Sequence, residues 1–141
     1  MSLDDRVAIL EQIARYSYAW DERDAEAYTA LFAEDAVFEV DPELPGGPAT
    51  LARGREEIGA WARARMAARA PGVQTRHHQT GTIFDELSAD SARTRTMLLT
   101  TRVGPGAEPA TTGVYSDEWR RTPEGWRFAR RTLRHDLTEG T

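Results

Sequence analysis

Residues 113–131 read GVYSDEWRRTPEGWRFARR: two stretches rich in aromatic and β-branched residues, broken by Thr122-Pro123-Glu124-Gly125. Proline and glycine there end one strand and supply the turn into the next. The pattern predicts strands at roughly 110–121 and 125–135. Working backward, GPGAEP and LSAD are separators of the same kind and delimit two more strands, roughly 91–103 and 74–86. Links this short force consecutive strands to run antiparallel.

Upstream the pattern changes. Val7, Leu10, Ile13, Ala14 and Ser17 fall at helical spacing, with Tyr16 and Trp20 four apart on a neighbouring face, which predicts a helix from about Asp4 to Trp20. Asp24 stands before AEAYTALF, where its carboxylate can cap a short second helix. EDAVFEV turns strand-like, and DPELPGGP, with three prolines and two glycines, breaks regular structure. GREEIGAWARARMAARAPG then reads as a third helix with Ile58, Trp61, Ala62, Arg65 and Met66 inward and Pro71-Gly72 as its stop. Helices first and a curved antiparallel sheet second make an α+β domain, with a ligand pocket expected between the two layers.

Composition narrows what that pocket can do. The 141 residues fit one domain spanning 1–141. There is no lysine, so no Schiff base, and no cysteine, so no disulfide, thiolate nucleophile or thiolate-bound metal. The net charge is -5 with both signs interspersed, which argues against nucleic acid as a partner. No apolar run reaches the roughly 18 residues of a membrane helix, and the acidic, periodic start is unlike a secretory signal, so a cytoplasmic location is expected. Of the three histidines, none sits at a helical spacing of three or four from another ligand, so no metal is expected.

TRHHQTGTIF, residues 75–84, places His77 and His78 side by side on a strand, where only one can face a given pocket. Taken alone, a strand histidine and a helix-end aspartate read first as packed or solvated groups. Three strings alter that reading: YSYAWDERDAEAYTALFAEDAVFEV, the TRHH strand start and GVYSDEWRRTPEGWRFARR. Together they resemble the nuclear-transport-factor-2-like superfamily, and within it the SnoaL-like and scytalone-dehydratase-like branch, over nearly the whole chain.

The resemblance implies a conical barrel of three N-terminal helices packed on a curved, mostly antiparallel sheet, with the cavity between. It implies a cofactor-independent lyase or isomerase of dehydratase or cyclase type, acting on a small hydrophobic cyclic or polyketide-like compound. In scytalone dehydratase and the hexachlorocyclohexane dehydrochlorinases, an aspartate ending the first helix pairs with a histidine starting a strand. Those roles fall on Asp21 and His77, with His78 facing away. Ketosteroid isomerase, another branch, has a tyrosine at the position of Tyr16 that donates to a developing enolate; an aromatic core residue is the equal alternative. Its base does not transfer, because Val40 holds the matching place and Glu39 and Asp41 lie one residue to either side; its third position falls near Ser116 and Asp117.

Scytalone dehydratase has a second histidine on the next strand, and here Thr96 occupies that region. Gly113, Tyr115 and Asp117 share one strand face, so a small residue beside Tyr115 would leave ligand room near its hydroxyl. Trp20, Phe38, Trp61 and Met97, with Tyr115, are the candidate substrate contacts, each also readable as plain core. Arg120, Arg121, Arg127, Arg130, Arg131 and Arg134 read as an outer face or dimer contact, one of which can instead anchor a carboxylate. A homodimer is the family expectation. The rival function is a non-catalytic ligand-binding or scaffold subunit, like the small subunits of ring-hydroxylating dioxygenases, which share the fold.

Overall fold

The computed structural model describes residues 2–42, 49–106 and 111–136. Ser2 opens the first helix with a capping box: its hydroxyl accepts from the Asp5 amide while the Asp5 carboxylate accepts from the Ser2 amide. The elements that follow are α1 (Leu3–Asp21), α2 (Ala25–Ala30), β1 (Phe32–Asp41), β2 (Thr50–Arg53), α3 (Gly54–Ala68), β3 (Gln74–Leu87), β4 (Ser91–Val103), β5 (Thr111–Thr122) and β6 (Gly125–His135). Asp24 caps α2 as expected, accepting from the Ala27 amide at 3.0 Å. Most of DPELPGGP, and the end of GPGAEP, lie outside the described residues.

One six-stranded sheet forms in the order β2-β1-β6-β5-β4-β3. It curves without closing, and β1–β6 is its single parallel pairing. The fold is the expected α+β cone of helices on a mostly antiparallel sheet. The edge strand β2 had no counterpart in the sequence reading; it is four residues long and buries only Ala52. Among the described residues, no helix is long and apolar enough to cross a membrane.

The inward face of α1 is not the stripe the periodicity favours. Ile9, Ile13, Tyr16 and Ala19 are buried, while Val7 is 57% and Leu10 44% exposed. Polar contacts at its N-terminal half fix that rotation: Asp5 accepts from the Trp126 indole, and Gln12 donates to the Trp126 carbonyl at 2.9 Å. The core is aromatic. Trp119 stacks on Phe128 at 4.0 Å, and Phe32, Tyr28 and Phe38 continue the cluster toward α3. Each such ring stabilises the fold by about 1.5–3 kcal/mol.

Two strands place their side chains against expectation. On β4 the inward residues are Ala92, Thr94, Thr96, Leu98 and Thr100, so Met97 lies on the outer face, 54% exposed, and is not a cavity residue. On β6 the inward parity runs Trp126, Phe128 and then Arg131, Leu133. The register shift opposite Glu118/Trp119 inserts one residue and reverses the alternation. Arg131 is therefore fully buried rather than on the outer face, whereas Arg130 points outward and pairs with Glu39 at 3.0 Å.

Candidate active site

α1 ends where the chain must double back. Arg23 adopts a left-handed conformation (φ 59°), and the turn aims the Asp21 side chain at β3 instead of at solvent. On β3 the alternate residues Thr75, His77 and Gln79 face the helices, and His78 is exposed on the other side. The two elements meet at Asp21, which is 4% exposed.

Five hydrogen-bond contacts converge there. His77 Nδ1 lies 2.7 Å from Asp21 Oδ1, the Thr75 hydroxyl donates to the same oxygen at 2.8 Å, and the His77 amide donates to Oδ2 at 2.8 Å. Gln74 donates to the Asp21 carbonyl at 3.0 Å. Arg69 buttresses the arrangement, donating to the Thr75 hydroxyl and to the carbonyls of Trp20 and Asp21 at 3.2 and 3.3 Å. Burial by itself would raise the Asp21 pKa; the His77 side chain, the His77 amide and the Thr75 hydroxyl outweigh it and hold the carboxyl below its ordinary value. An ionised carboxylate only accepts, so in neutral His77 the ring proton sits on Nδ1 and Nε2 carries the lone pair. Nε2 has no hydrogen-bond partner among the described residues.

Aromatic rings extend from the imidazole. Trp20 meets His77 edge-on at 6.2 Å, Trp61 lies 5.2 Å from Trp20, and Phe38 lies 4.8 Å from Trp61. The Trp61 indole nitrogen is buried without an acceptor among the described residues. A cavity of about 270 Å³ opens between the end of α1, the last turn of α3 and the adjoining ends of β3 and β4, with Trp20 and Thr75 in its wall.

Tyr16 and Tyr115 are elsewhere. Both are buried, their rings 5.6 Å apart, and the Tyr28 hydroxyl donates to that of Tyr16 at 3.1 Å. Neither touches Asp21 or His77; the link runs through Tyr28, whose ring is 5.4 Å from Trp20. Burial pushes both phenols well above their ordinary range, each reinforced by a neighbouring tyrosine and opposed by Arg131. Gly113 does not open ligand room beside Tyr115: a Cβ there would lie 2.6 Å from the Arg134 carbonyl, so the glycine admits β6.

Beneath the tyrosines lies a pair the sequence reading did not assemble. The Arg131 guanidinium sits 3.5 Å from the Tyr115 ring centroid and 4.1 Å from that of Tyr16, and donates to Gln79. Its Nε is 3.0 Å from Asp117 Oδ1, but misaligned, so neither carboxylate oxygen has a hydrogen-bond donor among the described residues. Burial raises Asp117 to about 7 despite the cation beside it. The available signal was the shared face of Gly113, Tyr115 and Asp117, which places an acid inside; nothing in the sequence marked the bulge that brings Arg131 to it. Glu39 and Asp41 face outward, paired with Arg130 and with Arg134 at 3.1 Å.

A family model described as a SnoaL-like domain matches residues 1–132. No curated protein matches the chain by sequence. Among solved structures, a protein from Novosphingobium aromaticivorans named as NTF2-like with a cystatin-like fold is 30% identical, with 99% of this chain and 85% of that one covered and a TM-score of 0.75. A second from the same organism, named as a candidate aromatic ring hydroxylase, is 27% identical, with 98% and 93% covered and a TM-score of 0.82. A third, named as a candidate scytalone dehydratase, is 25% identical, with 99% and 89% covered and a TM-score of 0.79.

Proposed function

The chain belongs to the SnoaL-like domain family, and from that membership and the geometry of its buried dyad we propose a cofactor-independent lyase or isomerase of dehydratase or cyclase type. The observation that carries the reading is the 2.7 Å contact between Asp21 and His77, with the carboxylate held ionised and Nε2 left unprotonated. Nε2 takes a proton from a carbon next to a carbonyl, and Asp21 stabilises the imidazolium that results. In an elimination the C–H electrons become a double bond and the neighbouring hydroxyl departs. The Nε2 proton passes to that oxygen, water leaves, and His77 returns to its neutral form. Isomerisation or cyclisation differs only in where the electron pair and the proton end.

Trp20 in the cavity wall supports a flat hydrophobic cyclic substrate, while Trp61 and Phe38 stand behind it as packed core and do not line the cavity. Tyr16 and Tyr115, kept protonated by burial, are separated from His77 by the Tyr28 and Trp20 rings and act as core rather than as donors to a substrate.

Because one fold of this kind serves both catalysts and non-catalytic subunits, a second reading is a ligand-binding or scaffold subunit without chemistry of its own. Proton exchange separates the two. Cyclic hydroxy-ketones incubated with the protein in D₂O should exchange the proton next to the carbonyl or lose water, and His77→Gln should slow this by about 100-fold to 10,000-fold. Exchange undiminished in His77→Gln sinks the enzyme reading. Ligand binding without any exchange in the native protein favours the subunit.

A further inference from the structure

We propose that the cavity beside the dyad takes the carboxylate of an aromatic or polycyclic acid, with Arg102 donating to the carboxylate, Arg69 adding its charge from behind and Trp20 packing on the ring system. As a statement about substrate class it rests on the dyad's being a base; as a binding site it stands without it.

The chain is net acidic, yet this wall is cationic. Arg69 and Arg102 line the cavity together with Trp20, Met66 and Val73, so one side is cationic and the other apolar. Arg23 lies alongside and donates to the carbonyls of Arg69 and Ala70, both at 3.4 Å, which satisfies the end of α3. Among the described residues the one carboxylate acting on Arg69 is Asp21, whose oxygens are already occupied by His77 and Thr75. Arg69 is also crowded by its own kind: burial, then Arg23 and Arg102, hold its pKa below the ordinary value while Asp21 opposes them. An incoming anion would relieve that repulsion.

One exposed donor is available, Arg102, with the buried Arg69 charge behind it. Arg69 Nε is buried without an acceptor among the described residues, although both terminal nitrogens of the same group are used. Arg102 has no hydrogen bond or ion pair for its side chain among the described residues. It stands directly opposite Thr75 in the β3–β4 register, which sets it on the inner face of the sheet beside Asp21. Planar guanidinium groups match a carboxylate in two-point geometry, and a tryptophan ring accepts a flat hydrocarbon. The volume of about 270 Å³ suits a one- or two-ring acid. Its wall includes Thr75, one hydrogen bond from Asp21, which sets the site next to the dyad.

The test compares 2-naphthoate with its neutral counterpart 2-naphthol, titrated by NMR at pH 7 into the native protein, Arg102→Gln and His77→Gln. Naphthoate is expected to bind the native protein more tightly than naphthol. Arg102→Gln should weaken naphthoate about tenfold, the loss of one charge-assisted contact, and leave naphthol unchanged. His77→Gln should leave naphthoate affinity intact. Equal affinity for acid and alcohol, or naphthoate binding indifferent to Arg102→Gln, overturns the site. The dyad's role as a base is read separately, by proton exchange, so either idea can fail alone. Arg102 is exposed, and a thermal melt of Arg102→Gln matching the native protein establishes that any loss of affinity is local.

Discussion

Asp21 and Asp117 are hidden to nearly the same degree, 4% and 3% exposed, and each lies beside a cationic or potentially cationic partner. They nevertheless settle on opposite sides of their ordinary pKa. Asp21 has its two oxygens filled by an imidazole, a hydroxyl and a backbone amide, and stays an anion. Asp117 has a guanidinium 3.0 Å away and no aligned donor among the described residues, and burial raises it to about 7. A nearby opposite charge is therefore less effective here than directed hydrogen bonds, because only the latter replace the water that a buried carboxylate has lost. One site is organised to hold a charge permanently; the other gains or loses one near neutrality.

The largest effect expected from this contrast is an asymmetry within the inner pair. Asp117→Leu strands a guanidinium that cannot shed its proton, and should cost about 3–5 kcal/mol in urea denaturation. Arg131→Met leaves an acid that can simply take up a proton, so it should cost clearly less. Equal losses would mean that Asp117 is as firmly ionised as Asp21, and the contrast would collapse.

Stability against pH separates the two acids further. The folded pKa of Asp117, about 7, lies above its ordinary 3.8, so the folded state binds this proton more tightly. Its stabilising contribution is complete below about pH 4 and is lost as pH rises toward 7. Asp21 is depressed, so its contribution is present above its ordinary value and is lost as pH falls through the folded one. Asp117→Asn should flatten only the limb between pH 4 and 7. Asp21→Asn should flatten only part of the acid limb, since Asp35 and Asp85 are depressed by Arg120 and Arg95 as well. A limb between pH 4 and 7 that persists in Asp117→Asn assigns it to another group.

A smaller stability change, but a sharper chemical one, is expected from Asp21→Asn. The amide's NH₂ cannot face the His77 backbone N–H, so it should turn toward the imidazole. The ring then accepts at Nδ1 and carries its proton on Nε2, which removes the lone pair needed for proton abstraction. The cost to stability should be about 1–3 kcal/mol. ¹⁵N NMR of His77 should show Nδ1–H in the native protein and Nε2–H in the variant. The Nε2–H form in the native protein would remove the base.

What the sequence made legible follows the same division between directed and undirected signals. Short polar separators marked the four long strands within a residue or two, because prolines and glycines constrain the backbone directly. The Asp21–His77 contact was legible through resemblance and through strand parity, which sent His77 inward and His78 outward. Arg131 was not legible, since a one-residue bulge reverses parity and leaves no compositional mark. β4 misled by hydrophobicity: its inner face carries Thr94, Thr96 and Thr100, while Met97 and Leu99 face out. A polar inner face, with Thr94 accepting from the Trp119 indole and Thr96 bonded to Thr82, and an apolar outer face invert the usual pattern, and period-two alternation cannot choose between them.

That inversion motivates the smallest effect expected in the isolated fold. Met97, Leu99 and Val114 are exposed together, and Met97 and Val114 are direct cross-strand partners on β4 and β5. We propose this outer face as the contact of a homodimer. Within one chain, Met97→Ser removes little buried surface and should change monomer stability by no more than about 0.5 kcal/mol. The same substitution across a two-fold interface is counted twice, once from each copy. Sedimentation should therefore show native dimers and a shift toward monomer in Met97→Ser, with proton exchange at His77 unaltered, since Met97 is on the far side of the sheet from the dyad. A native protein that sediments as a monomer would leave the outer face of β3–β5 merely an apolar surface.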